Sequence, residues 1–288
     1  METAELLKKV RAIEIKTRGL SNQIFSGEYH SAFKGRGMAF SENREYQHGD
    51  EIRSIDWNVT ARLGHPYVKV FEEERELTAM IIVDVSGSED FGTKEMLKRH
   101  LITELTAVIA FSALQNNDKI GVILFSDQIE LFIPPKKGKT HILRIIRELI
   151  NFTPNHKGTN ISMALDFLNG AIKKRCITFV ISDFVDEGFE NALRIANRKH
   201  DMVALRIKDR RESSIPNVGL AQFQDIETGK IKWINTGSKR VRHAYEKAAK
   251  VRDLKVKDLF KRAGVDYTDM HTDENYVRPL MSLFKKRG

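Results

Sequence analysis

The sequence contains a single cysteine, Cys176, so it cannot form an internal disulfide, and this suits a reducing compartment. It also lacks any apolar run near the roughly 20 residues that a membrane-spanning helix needs. The longest such runs cover only residues 79–85 and 107–114. The N-terminus, METAELLKKVRAIEIK, mixes charges of both signs and lacks the continuous apolar segment of a signal peptide. From these absences we expect a cytoplasmic protein without a membrane span.

Proline and glycine are sparse too, at 6 and 18 of 288 residues, which excludes a collagen-like or low-complexity chain. Hydrophobic residues make up 41% and charged residues 30%, enough apolar material for a full-sized core. From Leu77 onward, short apolar runs alternate with longer helical patterns. Strands separated by helices need crossover connections, which favour a mainly parallel sheet covered on both faces. The exception is the pair of runs at 119–126 and 129–134, which a short polar link joins as a hairpin.

These patterns predict a doubly wound α/β domain with a mainly parallel sheet over residues 77–272. Residues 1–76 precede it as a short amphipathic helix, at 1–18, and a mixed segment of glycines, aromatics and interleaved charges. Residues 273–288 follow it as a C-terminal helix and tail.

The positive charge is concentrated in one segment. The formal net charge is +9, and residues 238–264 carry ten Lys or Arg against three acids, hence +7 of it. The apolar residues of this segment recur at helical spacing: Val241, Tyr245, Ala248, Val256, Leu259 and Ala263. We expect an amphipathic helix with a solvated basic face. No zinc-finger spacing or aromatic RNA-binding pattern accompanies the charge, so nucleic acid is not favoured as a partner. Contact of the basic helix at 238–262 with an anionic surface stays an alternative.

Carboxylates and hydroxyls collect where the predicted strands end. Asp84 closes the run TAMIIVD and Asp183 closes CITFVISD, and a charge after such a run is costly unless it is paired or coordinated. Ser86 and Ser88 follow the first of them at alternate positions, and Thr159 lies in a Gly-Thr loop just before a predicted helix. Ligands of doubly wound sheets bind at this edge. Oxygen-only donors suit Mg²⁺, with Mn²⁺ or Ca²⁺ as alternatives, rather than zinc or copper.

The order Asp84-x-Ser86-x-Ser88, then Thr159, then Asp183, resembles the metal-ion-dependent adhesion site of von Willebrand factor A domains. The surrounding sequence of strands, helices and hairpin is similar to that family over about two thirds of the chain. The resemblance implies that these five residues hold Mg²⁺. It also implies that an open metal position takes a Glu or Asp side chain of a partner protein.

Upstream of this domain, residues 35–62 carry a second pattern, written Gly35-Arg36-Gly37-x-x-Phe40, Glu42-x-Arg44-x-Tyr46, Gly49-Asp50-x-x-Arg53-x-Ile55-Asp56-Trp57 and Ala61-Arg62. It resembles the signature of a bacterial family of unknown function in which such a segment precedes an A-type domain. The resemblance implies a gene beside that of a MoxR-type AAA+ ATPase, and a role as its adaptor in protein maturation or metal-cofactor insertion. Many members of that family carry an N-terminal membrane hairpin, of which this sequence shows no sign.

The charged residues of this upstream segment admit two interpretations. Interleaved opposite charges satisfy one another, which favours an ion-pair network that clamps the segment onto the A-type domain. The same residues could instead form a docking surface for a partner. The candidates are Arg44, Asp50, Arg53, Asp56, Trp57 and Arg62.

Enzyme signatures are largely missing. A haloacid-dehalogenase phosphatase needs a second carboxylate two residues after its strand-end Asp, and here that residue is Ser86. The sequence has no G-x-S-x-G elbow, no Walker A motif and no dinucleotide fingerprint. His156, near the Gly-Thr loop, is a lone histidine of the kind typical of a protein surface. We therefore expect a non-enzymatic, metal-dependent binding adaptor, with a metal-dependent hydrolase at the same site as the alternative.

Overall fold

The computed structural model of the chain describes residues 38–73, 77–87, 98–156, 158–224 and 231–287. These residues belong to two compact units that divide between Leu77 and Thr78. The predicted helix at 1–18 and the candidate ligand Ser88 lie outside the described residues.

The small unit is built on an antiparallel strand pair. Strand β1 (Met38–Glu45) pairs with β2 (Tyr67–Glu73), and the register shifts between Phe40 and Glu42. The connection contains a 3₁₀ turn and helix α1 (Trp57–Leu63). Asp56 caps α1 by accepting hydrogen bonds from the backbone N–H groups of Asn58 and Val59, because the first turn of a helix leaves its donors without partners. The positions of the signature residues are therefore set by ordinary local structure.

The described residues of the larger unit form eight strands: β3 (Thr78–Asp84), β4 (Lys119–Phe125), β5 (Ile129–Lys136), β6 (Ile177–Ser182), β7 (Asp201–Lys208), β8 (Leu220–Gln224), β9 (Ile231–Asn235) and β10 (Asp266–His271). Six of them form one sheet in the order β10-β7-β6-β3-β4-β5. All neighbours in it are parallel except β4 and β5, which pair antiparallel. Strands β8 and β9 form a separate antiparallel pair. The predicted α/β class, its mainly parallel sheet and its single hairpin are confirmed.

The helices found where the structure describes the larger unit are α2 (Lys98–Gln115), α3 (Lys139–Asn151), α4 (Ile161–Ala171), α5 (Glu190–Lys199), α6 (Arg210–Ser213), α7 (Lys239–Ala263) and α8 (Val277–Arg287). Met80 and Ile82 of β3 pack in one core with residues of α4, α5 and α7. On the opposite face, Phe179 of β6 contacts Phe284 of α8 edge to face. Successive side chains of a strand point to opposite faces, so both faces of the sheet are covered. No helix in the described part of the chain is both long and apolar enough to cross a membrane.

The basic helix α7 forms as predicted, and its packed face is the predicted one except at Ala248. Its buried residues are Phe260, Ala249 and Ala263, and Val256 and Leu259 pack partly buried against the same core. Ala248, which the spacing assigns to the packed face, is exposed. The sheet contacts α7 near its C-terminal end, where Phe260 lies against Tyr267 of β10 with ring centroids 5.1 Å apart. The helical period alone identifies a stripe but not which part of it another element covers.

Candidate metal centre

The two strand-end carboxylates come together because β3 and β6 are parallel neighbours. Their register pairs Val83 with Ile181, so Asp84, at the end of β3, lies beside Ser182, the last residue of β6, and next to Asp183. Both Asp side chains are buried, at 1% and 4% exposure. The Ser182 hydroxyl donates a hydrogen bond of 2.6 Å to Oδ2 of Asp84 and thereby joins the two strand ends.

Asp84 is a buried carboxylate with neutral partners. Besides the Ser182 bond, its Oδ1 accepts the backbone N–H of Ser86 at 3.0 Å. Within the described ranges Asp84 has no Lys, Arg or His ion-pair partner. Burial and, to a smaller extent, the nearby charge of Asp183 raise the pKa of Asp84, which reaches about 6 although the hydrogen bonds from Ser182 and Ser86 oppose both effects. The site therefore contains negative charge that these hydroxyl and amide groups do not neutralise.

Asp183 is compensated differently. Its Oδ1 accepts the backbone N–H of Val185 at 3.0 Å, and its Oδ2 lies 2.9 Å from Nζ of Lys98 at the start of α2. The Lys98 side chain is completely buried, and it forms a second ion pair with Glu212 of α6. One ammonium thus joins the end of β6 to two helices of the unit.

The other candidate ligands lie at or near the same edge of the sheet. Ser86 is buried two residues after β3. Thr159 lies in the loop before α4. The residue after it, Asn160, donates its backbone N–H to the carbonyl of Ser126 at 2.9 Å, and Ser126 directly follows β4. Since β4 is the neighbour of β3, this bond holds the Gly-Thr loop at the carboxyl edge of the sheet. Ser88 lies outside the described residues.

The loop that leads to Thr159 is held by a carboxylate on the hairpin. Glu130 accepts hydrogen bonds from the Ser126 hydroxyl at 2.8 Å and from the backbone N–H groups of Asn155 and His156 at 3.2 and 3.1 Å. The His156 ring lies at the surface, with Nδ1 3.2 Å from Oδ1 of Asp127 and both side chains about half exposed. This arrangement supports the loop and leaves His156 in a surface ion pair.

The chemistry of these donors fits a hard divalent cation. In the described part of the chain no three His, Cys, Asp or Glu side chains form a metal-binding group. An ion at this edge would therefore be held by the two Asp carboxylates together with hydroxyls and water, the oxygen-rich and partly hydrated set that Mg²⁺ accepts. The unneutralised charge of Asp84 is the feature that such an ion would satisfy.

Sequence reasoning missed three side chains of this site: Ser182, Lys98 and Glu212. Lys98 had a signal, because it precedes Leu101, Ile102 and Leu105 at helical spacing and so falls on the buried stripe of α2. Ser182 directly precedes a predicted ligand. Nothing in the sequence around Glu212 indicates its contact with Lys98.

The signature residues of the small unit only partly form a network. Arg44 donates to both carboxylate oxygens of Asp50, at 2.8 and 2.6 Å. Asp56 caps α1 and lies 3.6 Å from Nζ of Lys69. The remaining candidates are at the surface: Arg53, Arg62 and Trp57, the last 66% exposed. Both interpretations of this segment, a clamp onto the larger domain and a docking surface for a partner, stay predictions.

Comparison with known proteins places this arrangement in a family. The uncharacterized protein Mb1516 of Mycobacterium bovis is 26% identical over 290 residues, which cover 100% of this chain and 91% of that protein. Among solved structures, the conserved hypothetical protein BatB of Bacteroides thetaiotaomicron superposes with a TM-score of 0.50 and 15% identity, over 73% of this chain and 98% of that one. An aerotolerance-related membrane protein of Bacteroides fragilis superposes with a TM-score of 0.51 and 16% identity, over the same shares. These two structures share the fold.

A family model described as "Protein of unknown function DUF58" matches residues 42–255. The matched range includes residues 42–62 of the signature segment and the described residues of the strand-end site. It covers well over half of the sequence, and this chain therefore belongs to the DUF58 family.

Proposed function

We propose that this chain is a metal-dependent protein-binding module in which Mg²⁺ is held by Asp84, Ser86, Ser88, Thr159 and Asp183. The observation that carries the proposal is the buried Asp84 carboxylate, which has only neutral partners among the described residues. A buried charge is costly unless something neutralises it. When bound, the ion would supply that charge and an open position for one carboxylate oxygen of a partner.

The residues of the chain prepare this site in two ways. Ser182 and the Ser86 N–H orient the Asp84 carboxylate through both of its oxygens. The remaining ligands in the proposed set are neutral hydroxyls, which add no negative charge, so the bound ion would retain positive charge toward an incoming acidic side chain.

The partner in this proposal is a MoxR-type AAA+ ATPase or its client protein, which offers a Glu or Asp. The support for it is the resemblance of the signature at 35–62 and of the strand-end motif to adaptor proteins of this kind. In this role the chain would bind its partner without transforming it, and would serve in protein maturation or chaperoning.

Calorimetric titration with Mg²⁺ tests the metal half of the proposal. We expect one ion to bind the wild type and binding to be lost in Asp84→Ala and in Asp84→Asn, the second of which keeps the volume of the side chain. Asp258→Ala is the matched control, since Asp258 is an exposed acid of α7 that pairs with Arg262 on the same helix. Equal binding by the wild type and both Asp84 variants would show that the ion is held elsewhere.

Co-precipitation with the purified MoxR-type ATPase of the same organism tests the partner half. The variants decide this experiment better than a chelator does, because P-loop ATPases themselves hold Mg²⁺ with their nucleotide. We expect the wild type to retain the ATPase in Mg²⁺ and Asp84→Ala to release it. If folded Asp84→Ala retains the ATPase normally, the metal bridge is wrong.

A further inference from the structure

Lys98 lies where the proposed function needs a cation. Its Nζ is 2.9 Å from Oδ2 of Asp183, one of the two carboxylates proposed to hold the metal, and its side chain has no exposed surface. Burial of an ammonium is costly unless it is paired, so the protein maintains this charge for the carboxylates around it. In the described part of the chain, these carboxylates include Asp183 and Glu212.

Both oxygens of Asp183 are already engaged. Oδ1 accepts a backbone N–H from Val185, which the chain cannot withdraw without changing the loop after β6. Oδ2 accepts the Lys98 ammonium, which stands at the end of a flexible side chain. A divalent ion that binds Asp183 directly brings two positive charges next to the Lys98 ammonium, and like charges at such short distance repel. Of these two donors, the ammonium is the one that can move away.

The ammonium also has a second partner to hold it after displacement. Glu212 lies in α6, and its side chain also closes a capping box with Asp209 by accepting the Asp209 backbone N–H at 3.1 Å. The Glu212 side chain is 31% exposed, so water partly solvates it. Lys98 can therefore stay paired on Glu212 while Asp183 binds another cation.

We propose that Lys98 is a built-in competitor of the metal: its ammonium occupies Asp183 when the ion is absent and moves fully to Glu212 when the ion binds. This inference rests on the metal site of the proposed function and adds its regulation. Metal binding then changes the pairing between α2 and α6. In the metal-free protein the ammonium neutralises Asp183, so the folded state does not need an ion at that carboxylate for its stability.

Titration of purified variants with Mn²⁺ alone, followed by calorimetry and by thermal unfolding, tests the competition. In Lys98→Met, which keeps the length of the side chain without its charge, we expect Mn²⁺ to bind about tenfold tighter or more, a size typical of changes next to metal ligands. We also expect the metal-free variant to unfold at a lower temperature than the wild type and to recover more on Mn²⁺ addition. Lys98→Gln, which retains a donor for Asp183, covers the case in which Lys98→Met does not fold.

Glu212→Gln should change the affinity for Mn²⁺ in the opposite direction from Lys98→Met. It removes the partner that receives the displaced ammonium, so Mn²⁺ should bind more weakly than in the wild type. In a Lys98→Met background the same substitution should have almost no effect, because its action passes through Lys98. A simple long-range attraction between Glu212 and the ion would persist in both backgrounds and would contradict the competition. Lys255→Met, at an exposed lysine of α7, is the matched control for loss of one positive charge.

The outcomes separate the two proposals. If Mn²⁺ binds the wild type, is lost in Asp84→Ala and binds Lys98→Met with unchanged or lower affinity, the competition is overturned and the metal site stands. If Mn²⁺ binds Lys98→Met but hardly binds the wild type, the competition is supported in its strongest form. If no variant binds Mn²⁺, including Lys98→Met, the metal-dependent function itself is overturned and the competition with it.

Discussion

Cys176 and His200 meet in the core beside the start of β6. Nδ1 of His200 lies 3.2 Å from the Cys176 sulfur and accepts the backbone N–H of Cys176 at 3.3 Å. Burial raises the pKa of the Cys176 thiol to about 11. Burial, together with the charges of Lys199 and Arg175, lowers the pKa of His200 to about 4. Both groups are therefore neutral at pH 7.

His200 should make stability depend on pH. The unfolded histidine binds a proton below a pH of about 6.5, whereas the folded one does so only below about 4. The contribution of His200 to the free energy of unfolding is complete above pH 6.5. It is lost as the pH falls toward 4, because the unfolded chain then binds more protons than the folded one. We expect this loss to reach at most about 3 kcal/mol. It should be much smaller in His200→Asn, as measured by urea unfolding from pH 4.5 to 7.5.

The pH slope, rather than the absolute stability, is the informative quantity, because the substitution also changes packing. His243→Asn is the control: His243 is on α7 and its side chain is 83% exposed. If His200→Asn and the wild type lose stability in parallel between pH 7 and pH 4.5, the histidine is not the group responsible.

At the scale of elements, α7 is held to the sheet by a cluster of opposite charges. Asp253 lies 2.7 Å from Nη1 of Arg206 and also pairs with Lys208, both on β7. Lys257, one turn along α7, reaches the same carboxylate at 2.9 Å. Burial alone would raise the pKa of Asp253, but hydrogen bonds from Lys208 and Lys257 outweigh it and hold the pKa well below its ordinary value. The one acid of α7 that faces the sheet thus attaches this basic helix to it.

We expect Asp253→Asn to destabilise the protein by about 1–3 kcal/mol, because it leaves the charge of Arg206 without its nearest partner. The Arg206 side chain is only 8% exposed, so water does not replace the lost carboxylate fully. The free energy of unfolding in urea at pH 7 measures the effect.

Asp258→Asn is the matched control on the same helix. Asp258 pairs with Arg262 one turn away, and both side chains are more than half exposed. A surface pair of this kind contributes only about 0–1 kcal/mol. Equal destabilisation by the two substitutions would mean that Asp253 contributes no more than a surface acid.

At the scale of the whole molecule, the net charge of +9 is distributed unevenly. Helix α7 exposes most of its Lys and Arg side chains, while its buried residues face the core. Such a face attracts polyanions through counterion release without reading their sequence. Any contact of this face with nucleic acid would therefore be electrostatic and independent of the base sequence.

We expect the wild type to bind a short DNA duplex weakly at low salt, and to release it as salt rises. Replacing Lys247, Lys250 and Lys255 with Gln should weaken this binding and reduce the salt dependence by up to about three counterions. Fluorescence anisotropy over a salt series measures both quantities.

Three exposed lysines elsewhere, Lys136, Lys173 and Lys174, provide a triple Gln variant with the same net charge. Equal weakening in the two triple variants would assign the attraction to net charge rather than to α7. Binding that does not respond to salt would exclude a phosphate contact through this helix.

The sequence by itself determined the α/β class, the hairpin β4–β5 and the strand-end positions of Asp84 and Asp183. These features follow from local patterns, since an uninterrupted apolar run marks a strand buried on both faces and the polar residue after it marks the strand's end. A general rule of parallel sheets then brings such ends to one edge. No knowledge of the packing was needed.

Only the tertiary structure decided which charges meet. Lys98 and Asp183 are 85 residues apart, and their contact depends on how α2 docks against the sheet. The buried part of α7, Phe260 rather than Ala248, likewise depends on where the sheet covers the helix. Periodicity predicts that a face is buried, but the partner of that face comes from distant segments. The ammonium beside the proposed metal ligands therefore became visible only in the folded chain.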